Sequence, residues 1–159
     1  MLPHPPRLVM RLFHQAAHLW FRLTRPLTMG VRAVALDEMG RVFLVRHSYL
    51  PGWHLPGGGV EVGETALEAL TRELREEGHL ELADSPVLLG VYLNTFVTKR
   101  DHVLVYVARD VRQTHPRGAD REIVETGFFP VDKLPQTLAR ASRERIAEAL
   151  AGAAVSERW

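Results

Sequence analysis

Three glutamates near the middle of this chain, Glu73, Glu76 and Glu77, stand at positions i, i+3 and i+4. On a helix that spacing places all three carboxylates on one face. Like charges so close repel one another by a few tenths of a kcal/mol per pair, even when solvated. Water, nearby arginines such as Arg72 and Arg75, or a cation must offset that repulsion. Hard divalent ions take oxygen ligands, and magnesium combines a few carboxylates with water and substrate phosphates. Upstream lies Pro56-Gly57-Gly58-Gly59. Without side chains, those glycines let backbone amides and carbonyls approach a metal or a phosphate. A carboxylate helix facing such a loop suits charge neutralisation of a diphosphate and acidification of an attacking water. Either feature alone would read as a solvated helix face or an ordinary turn. Their joint spacing is what points to chemistry.

The elements that must position these residues follow from periodicity. Residues 65–77 read as a helix, opened by Thr65 with Glu68 three positions later, a capping-box pattern. Leu67, Leu70 and Leu74 form its expected core stripe. Before the loop, Gly30–Asp37 and Arg41–His47 are Val- and Leu-rich runs joined by Asp37-Glu38-Met39-Gly40, which predicts a hairpin. Ser48–Gly63 is turn-rich. Val87–Val97 and His102–Val111 predict two more strands around a polar turn at Lys99-Arg100-Asp101, and Glu122–Phe129 predicts a shorter one. After Pro135 the period is helical again, with Leu138, Ala141, Ile146, Ala149 and Leu150 on one side. These elements make a mixed sheet with helices on its faces.

Composition bounds the rest. The chain has 159 residues, 46% hydrophobic and 25% charged, enough apolar material for the core of one domain. It has no cysteine, which excludes disulfides and thiolate metal sites. A net charge of +1 gives no case for extended nucleic-acid contacts. The charge is unevenly spread: five basic residues and no acidic one precede Asp37, leaving 15 basic against 19 acidic from Asp37 onward. Residues 7–25 predict an amphipathic helix, with Arg7, Arg11, His14, His18, Arg22 and Arg25 on one face, ended by Pro26. It is expected either to pack on the domain or a second subunit, or to rest on anionic lipid. No run is long enough to span a membrane, and no signal-peptide core is uninterrupted. The expected location is cytoplasmic, with peripheral membrane contact as the alternative. The expected division is a basic helical extension over 1–29 and one catalytic domain over 30–159.

The segment from Gly57 to Leu80 resembles the signature of the Nudix hydrolase family, G-x5-E-x7-R-E-U-x-E-E-x-G-U, with U a bulky apolar residue. The matching residues are Gly58, Glu64, Arg72, Glu73, Leu74, Glu76, Glu77 and Leu80. The approach Trp53-His54-Leu55-Pro56 and the later Glu122-Ile123, Phe128-Phe129 and Leu134-Pro135 are also similar to the family's landmarks. One position departs, since the final glycine of the signature falls on His79 while Gly78 sits one residue early. A left-handed residue normally ends that helix. Either the helix stops at Gly78 or His79 adopts the left-handed conformation.

The resemblance implies a Nudix-type α/β/α sandwich and a magnesium-dependent pyrophosphohydrolase, with manganese as a substitute ion. Glu73, Glu76 and Glu77 would bind the metal, with the carbonyl of Gly58 as a further ligand. Arg72 and Glu64 would hold the glutamates in place. Arg72, Glu73 and Glu122 make the implied catalytic set, with Glu73 the first choice of base and Glu122 or Glu125 as alternatives. Arg46, Trp53 and Glu125 are candidates for substrate contact. Tyr49, Tyr92 and Phe96 are further stacking candidates, and Lys99 and Arg100 further phosphate contacts. The implied substrate is a small nucleoside diphosphate derivative, such as a nucleotide sugar, an ADP-ribose-like molecule or a nucleoside triphosphate. Two other readings stay open: a nucleotide-binding sensor that turns over slowly, and a pyrophosphohydrolase of RNA 5′ ends.

Overall fold

The structure is a computed structural model that describes residue 20 and residues 27–159, apart from 97 and 153. The expected helix over 7–25 therefore lies outside the described residues, Trp20 excepted. In chain order the elements are β1 (Thr28–Ala35), β2 (Val42–His47), α1 (Ala66–Gly78), β3 (Leu80–Glu81), β4 (Val87–Asn94), β5 (Asp101–Ala108), β6 (Arg112–Gln113), β7 (Ile123–Phe129) and α2 (Arg140–Ala151).

Strand β1 is the spine. It pairs parallel with β5, which pairs antiparallel with β4. Because side chains alternate along a strand, β1 sends Val31, Ala33 and Ala35 to one core and Val34 and Leu36 to another. Strand β2 divides likewise, Phe43 and Val45 against Val42 and Leu44. The first core is closed by Ala69, Leu70 and Leu74 of α1, the second by Ile146 of α2 together with Trp53, Leu55 and Tyr92. Both strands are thus buried on two faces, which is why they read as continuous apolar runs. A helix covers each face, and the result is an α/β/α sandwich around a mixed sheet.

The predicted hairpin is only partly formed. Asp37 caps the turn, accepting from the Met39 and Arg41 amides, and a single antiparallel bridge joins Leu36 to Val42. Beyond it the strands part, β1 to β5 and β2 to an antiparallel pairing with β7. The β4–β5 hairpin does form, and β4 ends at Asn94. There the Asn94 side chain accepts from the Phe96 amide and donates to Asp101, 2.8 Å away. Asp101 also accepts from Thr28 at 2.7 Å, so one carboxylate aligns the starts of β1 and β5 with the end of β4.

The two helices differ from expectation in opposite ways. On α1, Leu70 and Leu74 are fully buried but Leu67 is exposed, its expected place in the core taken by Ala69. On α2 the buried face is largely polar. Ser142, Arg145 and Glu148 lie inside, while Leu150 is 41% exposed. Ser142 accepts from the Leu55 amide. Arg145, 1% exposed, meets Glu148 at 2.7 Å and donates to the Arg158 carbonyl, with its guanidinium 4.2 Å from the Tyr92 ring centroid. Glu148 also accepts from the Tyr92 hydroxyl and the Ser156 amide. Charge can be buried here because each member finds partners.

Removing one partner from such a pair leaves an uncompensated buried charge. Arg145→Leu should lower stability by about 3 kcal/mol or more in urea denaturation, and adding Glu148→Leu should restore most of the loss. Equal stability of the single variant and the wild type would contradict this account.

Candidate active site

Helix α1 begins as its sequence signals. Thr65 Oγ1 accepts from the Glu68 amide at 3.2 Å, and the Glu68 carboxylate accepts from the Thr65 amide at 2.8 Å. The cap orients the helix so that Glu73 and Glu77 face the glycine loop. That loop runs along the free edge of β1. Val31 and Ala33 donate to the carbonyls of Gly58 and Pro56, and Val60 donates to that of Met29. Gly57 has a φ of +136° and lies so close to β1 that a Cβ would sit 2.1 Å from the Val31 carbonyl oxygen. At Gly58 a Cβ would fall 2.2 Å from the Glu73 carboxylate. Glycine is needed at 57 because β1 backbone occupies the space a side chain would fill, whereas a side chain at 58 would displace the Glu73 carboxylate.

The carboxylates are held from two sides. Arg72 forks between loop and helix: Nε and Nη2 donate to Glu64 at 2.9 and 3.1 Å, Nη1 to Glu73 at 2.7 Å, and Nη2 also to the Gly59 carbonyl at 3.1 Å. Glu76 is exposed and only 3.5 Å from the same guanidinium. The Arg72 hydrogen bond holds Glu64 below its usual pKa. Glu77 is different. It is buried and accepts from the Gly57 amide at 2.8 Å. Burial raises its pKa to about 7, against the opposing pull of Arg32 and the Gly57 amide. His47, at the end of β2, brings Nε2 to 3.4 Å from Glu77. Burial lowers the His47 pKa to about 4, and the charge of Arg32 adds to the shift.

Glu73, Glu76 and Glu77 line one cleft with Gly57, Gly58, Arg32, His47, Tyr49, Arg117 and Glu122. Glu122 arrives on the loop before β7. There Asp120 accepts from the Glu122 and Ile123 amides at 2.8 and 2.7 Å and pairs with Arg117. The Ile123 and Arg117 bonds are the two largest causes that bring Asp120 down to about 2. Arg117 in turn donates to the Glu76 carbonyl at 3.0 Å, fixing this loop to the C-terminal turn of α1. Among the described residues the Glu122 carboxylate accepts no hydrogen bond.

The other sequence candidates fall elsewhere. Trp53 is buried edge-on against Phe129, with centroids 4.8 Å apart. Arg46 lies over the Trp53 ring and pairs with Glu125 at 2.7 Å, outside the cleft. Tyr92 is in the core, whereas Tyr49 is exposed at the cleft beside His47. Gly58 lines the cleft; its oxygen accepts the Val31 amide and keeps a second lone pair, while the Gly57 oxygen meets the Arg32 guanidinium. Sequence reasoning missed Arg32, His47 and Arg117. An arginine inside the doubly buried run Val31–Leu36 was the available signal for the first, and a histidine closing the apolar β2 for the second.

These donors fit a hard divalent cation in kind: carboxylates, a backbone carbonyl and backbone space kept free of Cβ atoms. They are not gathered around one point, for among the described residues no three His, Asp or Glu side chains converge on a common position.

A profile of the NUDIX domain matches residues 26–150. The chain belongs to the Nudix family. It is 48% identical over 59 residues to an RNA pyrophosphohydrolase of Halorhodospira halophila, covering 37% of this chain and 33% of that protein. It is 32% identical over 120 residues to an 8-oxo-dGDP phosphatase of Mus musculus, covering 74% of this chain and 36% of that protein. The chain thus spans about a third of the length of these relatives. Among solved structures it is similar to a MutT Nudix hydrolase from Burkholderia pseudomallei, with a TM-score of 0.63 at 29% identity, over 75% of this chain and 95% of that one.

Within the Nudix signature, His79 replaces the closing glycine by adopting the left-handed conformation itself, with φ 52° and ψ 38°. Gly78 stays in the helix because a Cβ there would lie 2.7 Å from the Phe43 ring. The strained His79 is supported from the β6–β7 side. Its ring stacks on His115 with centroids 3.8 Å apart, its carbonyl accepts from the Thr114 amide at 3.0 Å, and Gln113 donates to the Gly78 carbonyl at 2.9 Å. If the stack supports the cap, His115→Ala should cost about 1 kcal/mol at pH 8 in the wild type and close to nothing in a His79→Gly background. A double-mutant cycle by urea denaturation measures this coupling, and equal losses in both backgrounds would refute it.

Proposed function

We propose that this Nudix chain is a divalent-cation-dependent pyrophosphohydrolase of a nucleoside diphosphate derivative, acting by attack of water on phosphorus. One observation carries the reading: Glu73, Glu76 and Glu77 share a cleft with Gly57, Gly58 and Glu122. Glu73, Glu76 and Glu77 are the residues to hold magnesium, or manganese in its place, with the carbonyl of Gly58 or Gly57 as a further ligand. A bound magnesium ion would supply charge neutralisation for the diphosphate and an acidified water.

The chain's own residues have distinct tasks. Arg72 and Glu64 position Glu73 and prevent it from swinging away. This engagement makes Glu73 a poorer base than Glu122, whose free carboxylate can accept the proton of an attacking water across the cleft. Arg117 and Asp120 hold the loop that presents Glu122. Phosphoryl transfer rests mainly on such positioning and on neutralised charge. Tyr49 is the aromatic available to a base at the cleft, whereas Arg46, Trp53 and Glu125 serve substrate only through the walls around it. The activities of the relatives differ, so the group at the ends of the diphosphate is an experimental matter.

The test is a hydrolysis panel with magnesium containing 8-oxo-dGDP, ADP-ribose, a nucleotide sugar, a nucleoside triphosphate and a short 5′-triphosphorylated RNA. Wild type should release product from at least one compound, and chelator should abolish it. Glu77→Gln and Glu122→Gln should each lower kcat by about a hundredfold or more, as expected when a metal ligand or general base is lost. Tight binding of a compound without turnover by folded wild type would replace the hydrolase with a nucleotide sensor.

A further inference from the structure

Two arginines face the carboxylates of α1, and their surroundings differ. Arg72 is saturated by Glu64, Glu73 and the Gly59 carbonyl. Arg32 projects from β1 into the same cleft and forms no ion pair among the described residues. Its Nη1 donates to the Gly57 carbonyl and, at 3.4 Å, approaches that of Leu55. The Gly57 amide meanwhile donates to Glu77, so a single peptide residue touches the arginine through its oxygen and the carboxylate through its nitrogen. The electrostatic reach of Arg32 extends to Glu77, His47, His54 and Tyr49. Arg32 is half-buried between the fully buried Val31 and Ala33, a place where a charged side chain is uncommon.

Positive charge at this position has an evident use. Glu73 lies against the Gly58 backbone and Glu77 accepts from the Gly57 amide, so both carboxylates meet the same short loop. Without a metal, one of the few cations able to offset them is Arg32. It sits on the only carbonyl of the loop Pro56–Gly58 that is not paired to a β1 amide. We propose that Arg32 is a resident cation that holds the metal seat in the metal-free protein, and that an entering divalent cation displaces its guanidinium from the Gly57 carbonyl. Arg32 is then a competitor of the metal for the Gly57 carbonyl. The inference rests on the reading of Glu73, Glu76 and Glu77 as metal ligands.

Mn2+ binding followed by electron paramagnetic resonance, without substrate, separates the two claims. Wild type should bind Mn2+, and Glu77→Gln should bind it more weakly. Arg32→Gln, which keeps a polar side chain of similar reach but no charge, should bind it about five- to tenfold more tightly, because a like charge has left the site. The same variant should melt at a lower temperature in chelator and gain more on adding Mn2+ than wild type does. A second readout requires no change at the site: in wild type, the arginine Nε–H resonance of Arg32, assigned through Arg32→Lys, should shift on titration with Mg2+ and saturate with the metal. Mn2+ affinity unchanged or weaker in folded Arg32→Gln, or an Arg32 resonance indifferent to saturating Mg2+, would overturn the displacement. Absence of Mn2+ binding by wild type, or binding unaffected by Glu77→Gln, would instead bring down the metal reading and this inference with it.

Discussion

The guanidinium of Arg72 makes the cleft possible. Carboxylates at helical spacing on one face repel, and a loop of consecutive glycines has no side chains of its own with which to hold a shape. Arg72 solves both problems with one planar fork, joining Glu64 from the loop, Glu73 from the helix and the Gly59 carbonyl. A lysine could neutralise one of these carboxylates but has no rigid geometry with which to register loop against helix. With that register set, the Gly57 amide reaches Glu77 and the Gly58 backbone fits beneath Glu73. Each later feature of the cleft depends on it.

Support for the cleft then comes from three directions with different chemistry. Below, β1 anchors the glycine loop through backbone hydrogen bonds and is itself fixed by burial on both faces. At the start of α1, the Thr65–Glu68 cap is local and needs no tertiary partner. At its end, Arg117, Gln113, Thr114 and His115 join the helix to the loop bearing Glu122. The substitution of His79 for glycine belongs to this third support. A side chain that is costly in the left-handed region is retained where its ring meets another ring.

Much of the site was legible because it is written in one contiguous stretch of local signals. Glu64, Arg72 and the three glutamates are related by spacing alone, and the cap by two residues three apart. What stayed hidden depends on distant partners. Nothing local states that β1 leaves the Asp37–Gly40 turn to join β5 while β2 joins β7. Nor does helical period reveal that α2 buries Arg145 and Glu148, since the partners that make this tolerable are Tyr92 and the chain near Ser156 and Arg158. Trp53 is a candidate for substrate contact by type, and only the pairing of β2 and β7 reveals that its ring packs on Phe129. Arg32 was counted only as one more basic residue before Asp37. Its meaning appears once both faces of its strand are seen to be covered.

The parallel pairing of β1 with β5 has a consequence for how the chain acquires its structure. Thr28 is matched with Asp101, 73 residues further along. During synthesis the strand that anchors the glycine loop therefore waits for its β5 partner until residue 108 has emerged. Such distant pairings form slowly because loop closure precedes any gain from contact. The capped, carboxylate-bearing helix is complete by residue 79 and has only local contacts to make at its start. Until β5 arrives, the β5 edge of this apolar strand stays open, and the arginine at its centre is a natural deterrent to association with other unfinished chains.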